Sequence, residues 1–263
     1  MDEIVTEQDG SILRIQLNRP AKRNAMTSAM YVALAGILDD AAKDGRTRVV
    51  LWHGAGESFC AGNDIEDFLK NPPGPVESPQ VSLMNALVNF DKPLVAAVHG
   101  AAIGGGTTML THCDFIYAGE STKFQMPFIN LALVPEFGSS YAVPARIGHV
   151  RAAELILLGL PFDAWFAGEF GLVTQVVSDK DVLARATETA RELSGKPARA
   201  LQASKRLMKQ PFREQVVAAI KAEHDAFSGL VRSVEAKWAL RAFLEKRKLD
   251  FASIAKFPAT HKD

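Results

Sequence analysis

The sequence predicts an α/β core followed by a region made only of helices. Three observations carry that reading. Apolar runs of strand length recur through the first two-thirds, helical periodicity alternates with them, and after about residue 180 the strand signals stop. The chain has 263 residues, 48% of them hydrophobic, which suits one large core with a helical appendage.

The elements follow in order. SILRIQLNRP alternates Leu13, Ile15 and Leu17 with Arg14 and Gln16, a half-buried strand stopped by Pro20. TSAMYVALAGILDDAAKD places Met30, Leu34, Ile37, Leu38 and Ala41 at helical spacing, with Thr27 or Ser28 as cap. RVVLWHG and KPLVAAVHG read as buried strands, VSLMNALVNF as a helix, and KNPPGPVESPQ as an irregular loop. GGGTTMLTHCD reads as a turn opening a helix. FIYAGE and LVTQVVS are strands, and HVRAAELILLG and DAWFAGEFG are helices ending at Gly159 and Gly171. The tail then predicts four helices, KDVLARATETARELSG, PARALQASKRLMKQ, FREQVVAAIKAEHDAFSGL and SVEAKWALRAFLEKRK, the middle two separated at Pro211. The expected division is a core over 1–195 and a helical region over 196–263.

Composition excludes several classes. Lys+Arg and Asp+Glu both number 30, so the zero net charge gives no footprint for nucleic acid. No apolar run spans a bilayer, and the acidic N-terminus is no signal peptide, so a cytoplasmic protein is expected. Cys60 and Cys113 form no CxxC pair and read as buried thiols. The six histidines are scattered without metal-ligand spacing, so no metal is expected.

Two glycine-containing turns remain, ESFCAGNDIEDF and HGAAIGGGTTM, each after a predicted strand. Glycine lets a ligand approach the main chain, and two N–H groups converging on one oxygen would form an oxyanion hole. Read by composition, both are ordinary tight turns. A third feature is Glu136, a lone carboxylate in the apolar and small-residue run NLALVPEFGSSYAVPARIG. Its ordinary reading is a cap for a helix starting near GSSYAV, or a residue facing water.

In ordered succession, LNRPAKRNAM, SFCAGNDI, KPLVAAVHGAAIGGG, CDFIYAGESTKFQMPFINLALVPEFGSS and AFLEKRKLDF resemble the crotonase, or enoyl-CoA hydratase/isomerase, superfamily. The resemblance implies a spiral of ββα repeats with a helical C-terminal subdomain that assembles trimers or dimers of trimers. It implies an acyl-CoA substrate, with coenzyme A part of the substrate and no separate cofactor. By resemblance, the backbone N–H groups of Asn63 and Gly105 are the oxyanion donors. The main chain around Ala61, with Asp64 and Ile65 in the same loop, meets CoA, and Lys22, Arg23 and Lys246 are candidate cations for its phosphates. The ordinary reading of those cations is solvated surface charge. Phe68 and Met84, from a variable segment, join Thr108, Phe128 and Phe137 as candidates for the acyl pocket.

The departures from the family pattern narrow the chemistry. Where hydratases have two glutamates, this chain has Thr108 and Phe128, and it places Glu136 where hydratases have glycine. Some Δ3,Δ2-enoyl-CoA isomerases share a glutamate in that context. One carboxylate suffices to move a proton from C2 to C4 without water, and the apolar neighbours Leu133, Val134, Pro135, Phe137 and Phe128 would raise its pKa. The expectation is therefore an isomerase with Glu136 as proton shuttle. The alternatives are hydratase-like, lyase or hydrolase chemistry, or a silent acyl-CoA-binding member.

Overall fold

A computed structural model describes residues 2–74, 78–248 and 250–251. Residues 75–77 of the proline-rich segment, residue 249 of the C-terminal motif and residues 252–263 lie outside the described residues. The strands are β1 (Ile4–Asp9), β2 (Ile12–Leu17), β3 (Val49–Gly54), β4 (Leu94–Val98), β5 (Ala101–Ile103), β6 (Phe115–Gly119), β7 (Lys123–Gln125), β8 (Phe162–Asp163) and β9 (Gln175–Val177). The helices are α1 (Ser28–Lys43), α2 (Ile65–Lys70), α3 (Pro79–Asn89), α4 (Gly105–Thr108), α5 (Ser139–Ile147), α6 (His149–Leu157), α7 (Ala164–Glu169), α8 (Val182–Ser194), α9 (Ala198–Leu230) and α10 (Val234–Leu244).

A six-stranded sheet runs β1-β2-β3-β4-β6-β9, and a three-stranded sheet runs β5-β7-β8. In the larger sheet only β1 is antiparallel to its neighbour. The continuous apolar runs of β3 and β4 follow from burial on both faces. Val50, Trp52, Leu94, Ala96 and Val98 enter the main core. Val49, Leu51, Val95 and Ala97 point the other way, into a smaller cluster closed by Val182, Ala186 and Ala190 of α8. Successive strand residues thus serve opposite faces, while four-residue spacing keeps one face of α8 on the sheet.

β1 escaped the sequence reading because it pairs on one side only and exposes its polar residues. The second sheet has strands of two or three residues, too short to carry a period. The two helices expected on either side of Pro211 form one 33-residue helix, α9. Proline removes one amide donor, but that turn lies at the surface, with Leu207 and Phe212 exposed, so water can satisfy the freed carbonyl. Side chains also fasten α9 to the core on both sides. Lys205 Nζ donates to Asp114 Oδ2 at 2.6 Å and to the Lys92 carbonyl at 2.8 Å, and Glu223 takes two amides of the segment opening α5.

Candidate active site

The site begins with two segments lying side by side. Cys60 and Ala102 form a parallel bridge, the Cys60 N–H donating to the Ala101 carbonyl at 3.0 Å and the Ile103 N–H to the Cys60 carbonyl at 2.9 Å. Three residues further along each segment stand Asn63 and Gly105. Each is preceded by a glycine at positive φ, Gly62 at 88° and Gly104 at 55°. Such a glycine turns the following peptide out of the pairing direction. Among the described residues, neither the Asn63 nor the Gly105 amide donates to a protein acceptor. A side chain at Gly62 would be strained by its φ, and its Cβ would lie 2.7 Å from the Ile103 carbonyl oxygen.

Glu136 faces this pair. A Cβ added at Gly105 would lie 2.6 Å from Glu136 Oε1, which measures how closely the carboxyl approaches that main chain. Asn63 Nδ2 donates to Glu136 Oε1 at 3.3 Å, and Asn63 Oδ1 accepts from the Tyr31 hydroxyl at 2.8 Å. Tyr31 thus fixes which end of the Asn63 amide points at the carboxyl. Glu136 is 4% exposed. Burial pushes its pKa up to about 8, the nearby Glu223 carboxyl adds to the rise, and the Asn63 bond opposes it.

The backbone carrying Glu136 is bent and clamped. Phe137 and Gly138 adopt left-handed conformations at φ 65° and 68°. For phenylalanine this costs on the order of 1–2 kcal/mol. The half-buried His112 holds the turn through Nε2, 2.8 Å from the Phe137 carbonyl. Desolvation lowers the His112 pKa to about 4, so the ring is neutral near pH 7 and Nε2–H is the donor. Glu223 holds the other side, accepting from the Gly138 and Ser140 amides at 2.7 Å each. A helix does begin at Ser139, but the carboxylate serving its N-terminus is Glu223, which leaves Glu136 free of capping.

The other expected site residues fall into groups. Met84 lines a cavity beside Glu136, and Phe68 stacks edge-on against Phe227 of that cavity at 5.6 Å. Phe137 is fully buried beside Tyr31, and a Cβ at Gly104 would sit 4.0 Å from the Phe128 ring. Thr108 is buried, its hydroxyl spent on the Gly104 carbonyl at 3.3 Å. Asp64 has both oxygens engaged, capping α2 through the Glu66 and Asp67 amides and receiving Arg19 at 2.9 Å. Ile65 begins α2, and the Ala61 amide bonds the Arg23 carbonyl. Lys22 and Arg23 are exposed, with Lys22 paired to Glu66 at 3.3 Å. Lys246 is exposed after α10, at φ 53°.

Sequence reasoning missed Tyr31, the Asn63 side chain and Glu223. Tyr31 sits on the buried stripe of α1 and reads there as ordinary core. Glu223 lies in a charged stretch of a long helix and reads as surface, because nothing local shows the helix end it will meet.

The parallel sheet, the side-by-side glycine turns and the C-terminal helices define a crotonase fold. A profile of the enoyl-CoA hydratase/isomerase family matches residues 7–254, and the chain belongs to that family. It is 32% identical over 258 residues to 1,2-epoxyphenylacetyl-CoA isomerase of Escherichia coli (strain K12), covering 95% of this chain and 98% of the relative. It is 32% identical over 251 residues to enoyl-CoA delta isomerase 2 of Homo sapiens, covering 93% of this chain and 63% of the relative. The structure of Pseudomonas aeruginosa OdaA superimposes with a TM-score of 0.90 at 44% identity, over 93% of this chain and 99% of that one. Relatives at similar identity include both isomerases and hydratases. Among the described residues, no helix is long and apolar enough to cross a membrane.

Proposed function

We propose that the protein is a Δ3,Δ2-enoyl-CoA isomerase. The observation that carries this is Glu136, a buried carboxyl raised to about 8 and set against two main-chain amides with no protein acceptor among the described residues. In this reading Glu136 takes the C2 proton of a 3-enoyl thioester. The C–H electrons form a dienolate whose oxygen is held by the amides of Asn63 and Gly105. Glu136 then returns the proton at C4, leaving the double bond between C2 and C3. The raised pKa makes the carboxylate a stronger base and its acid a ready donor near neutral pH. Each amide would lower the barrier by roughly 3 kcal/mol.

The remaining assignments belong to the same reading. The Ala61–Ile65 loop borders CoA, with Lys22, Arg23 and Lys246 near its phosphates. Assembly as trimers or dimers of trimers would cover exposed apolar residues such as Val150, Leu157, Leu158, Leu160 and Trp165.

Hydration is disfavoured because Thr108 and Phe128 cannot activate water. The test is absorbance at the conjugated enoyl-thioester band. Trans-3-hexenoyl-CoA should give a rise, and trans-2-hexenoyl-CoA no fall. A fall with the second substrate would replace this reading with hydration.

A further inference from the structure

The base and the oxyanion donors come from separate stretches of chain, and the reaction proposed above needs them at one fixed spacing. Gly105 opens a helical run that continues without a break through α4 into a 3₁₀ turn, Met109–His112. Met109 and Leu110 bury this run in the core, and Thr107 ties it to β5, its Oγ1 lying 2.5 Å from the Ala102 carbonyl oxygen. The last residue of the run, His112, crosses to the turn that carries Glu136.

What His112 meets there is one peptide plane. Its Nε2 lies 2.8 Å from the Phe137 carbonyl oxygen, and the N–H of that same peptide, on Gly138, donates to Glu223 at 2.7 Å. The plane is thus pinned from both sides. Phe137 is left-handed at φ 65°, a conformation that a side chain disfavours. Released, its backbone would relax toward negative φ and carry the adjacent Glu136 with it. The two pins differ in origin. Glu223 arrives on α9, whereas His112 arrives on the run that begins at the Gly105 donor. The imidazole also lies beside the Phe137 ring, with 6.3 Å between centroids. Burial lowers the His112 pKa, and the charges of Lys209, Arg146 and Lys205 add to that. The ring is therefore the same neutral donor throughout the range in which Glu136 titrates.

We propose that His112 is a positioning residue for the proton carrier. It fastens the Phe137–Gly138 peptide to the segment that supplies the Gly105 amide, so that base and oxyanion hole keep one spacing. The proposal rests on the isomerase reading for what Glu136 does, and on the geometry for how Glu136 is held.

His112→Leu removes the donor and keeps the bulk. Its kcat on trans-3-hexenoyl-CoA should fall about tenfold or more, while calorimetric affinity for hexanoyl-CoA changes less than about twofold and reports an intact fold. His112→Gln can bring an amide N–H to the same carbonyl and should recover to within about threefold of wild type. His112→Met, also without a donor, carries the comparison if the leucine variant does not fold. A second assay needs no return of the proton at C4. With acetoacetyl-CoA the C2–H bond breaks, the proton passes to Glu136, and the electron pair spreads onto the oxygen held by the amides. The near-ultraviolet enolate band at saturating ligand should weaken in the donorless variants and return in His112→Gln. Unchanged kcat and band in a donorless variant overturn the proposal, as does an equal loss in His112→Gln, which would make ring shape the cause. A wild type that forms the enolate without isomerising sinks only the isomerase reading, and the band still decides the role of His112. A wild type silent in both assays overturns both claims.

Discussion

The two halves of the site are built from different materials. The half formed by 60–63 and 102–105 is main chain, shaped by parallel pairing and two left-handed glycines. The half formed by the turn at 135–138 is a single side chain, tuned by burial and by Glu223. The first depends on backbone geometry and should be insensitive to pH. The second depends on charge and solvation and should titrate. An oxyanion requires donors that need not rearrange during reaction, whereas a proton carrier must change charge.

Removing the carrier should have the largest effect. Glu136→Gln keeps the shape and is expected to lower kcat by about 10³-fold or more while ligand affinity persists. Steady-state kinetics with a binding titration checks this, and retained turnover would rule out Glu136 as the base. Gly62→Ala attacks the other half, since its φ of 88° strains a side chain and its Cβ would lie 2.7 Å from the Ile103 carbonyl oxygen. A loss of about 10²-fold is expected, with no change in the shape of the pH profile.

The pH dependence sharpens the contrast further. The proposed base must be ionised to act, so kcat/KM should rise with pH and level off above about 8, where the Glu136 pKa lies. Glu223→Gln should move that limb to lower pH, because it removes the charge that helps raise Glu136. A limb that stays put would exclude the coupling.

Stability should run the opposite way. The folded pKa of Glu136 is raised from 4.5 to about 8, so its stabilising effect is complete below 4.5 and lost as pH rises through about 8. Glu136→Gln should therefore melt at a higher temperature than wild type at pH 9, with the difference shrinking toward pH 5. The smallest effect is expected from Tyr31→Phe, which frees the Asn63 amide. It should weaken the bond to the Glu136 carboxylate and shift the kinetic limb slightly upward, with a few-fold loss of rate.

Much of this was legible in the sequence where the physics is local. Strands β3 and β4 announced themselves because both faces are buried, and α1 because one stripe is. Glu136 stood out as a charge in apolar surroundings, and its burial follows from those neighbours. What stayed hidden depends on distant partners. Pro211 looked like a break until Lys205 and Glu223 were seen to hold α9 on both sides.

The paired glycine turns also bear on how such a protein can diverge. No side chain supplies the proposed anion-holding donors, so side-chain replacements outside the glycine positions leave those donors in place. Thr108 and Phe128, both buried, occupy the positions that carry hydratase glutamates in the family pattern. A scaffold organised this way would let new reactions arise one replacement at a time, with the proposed anion site kept throughout the change.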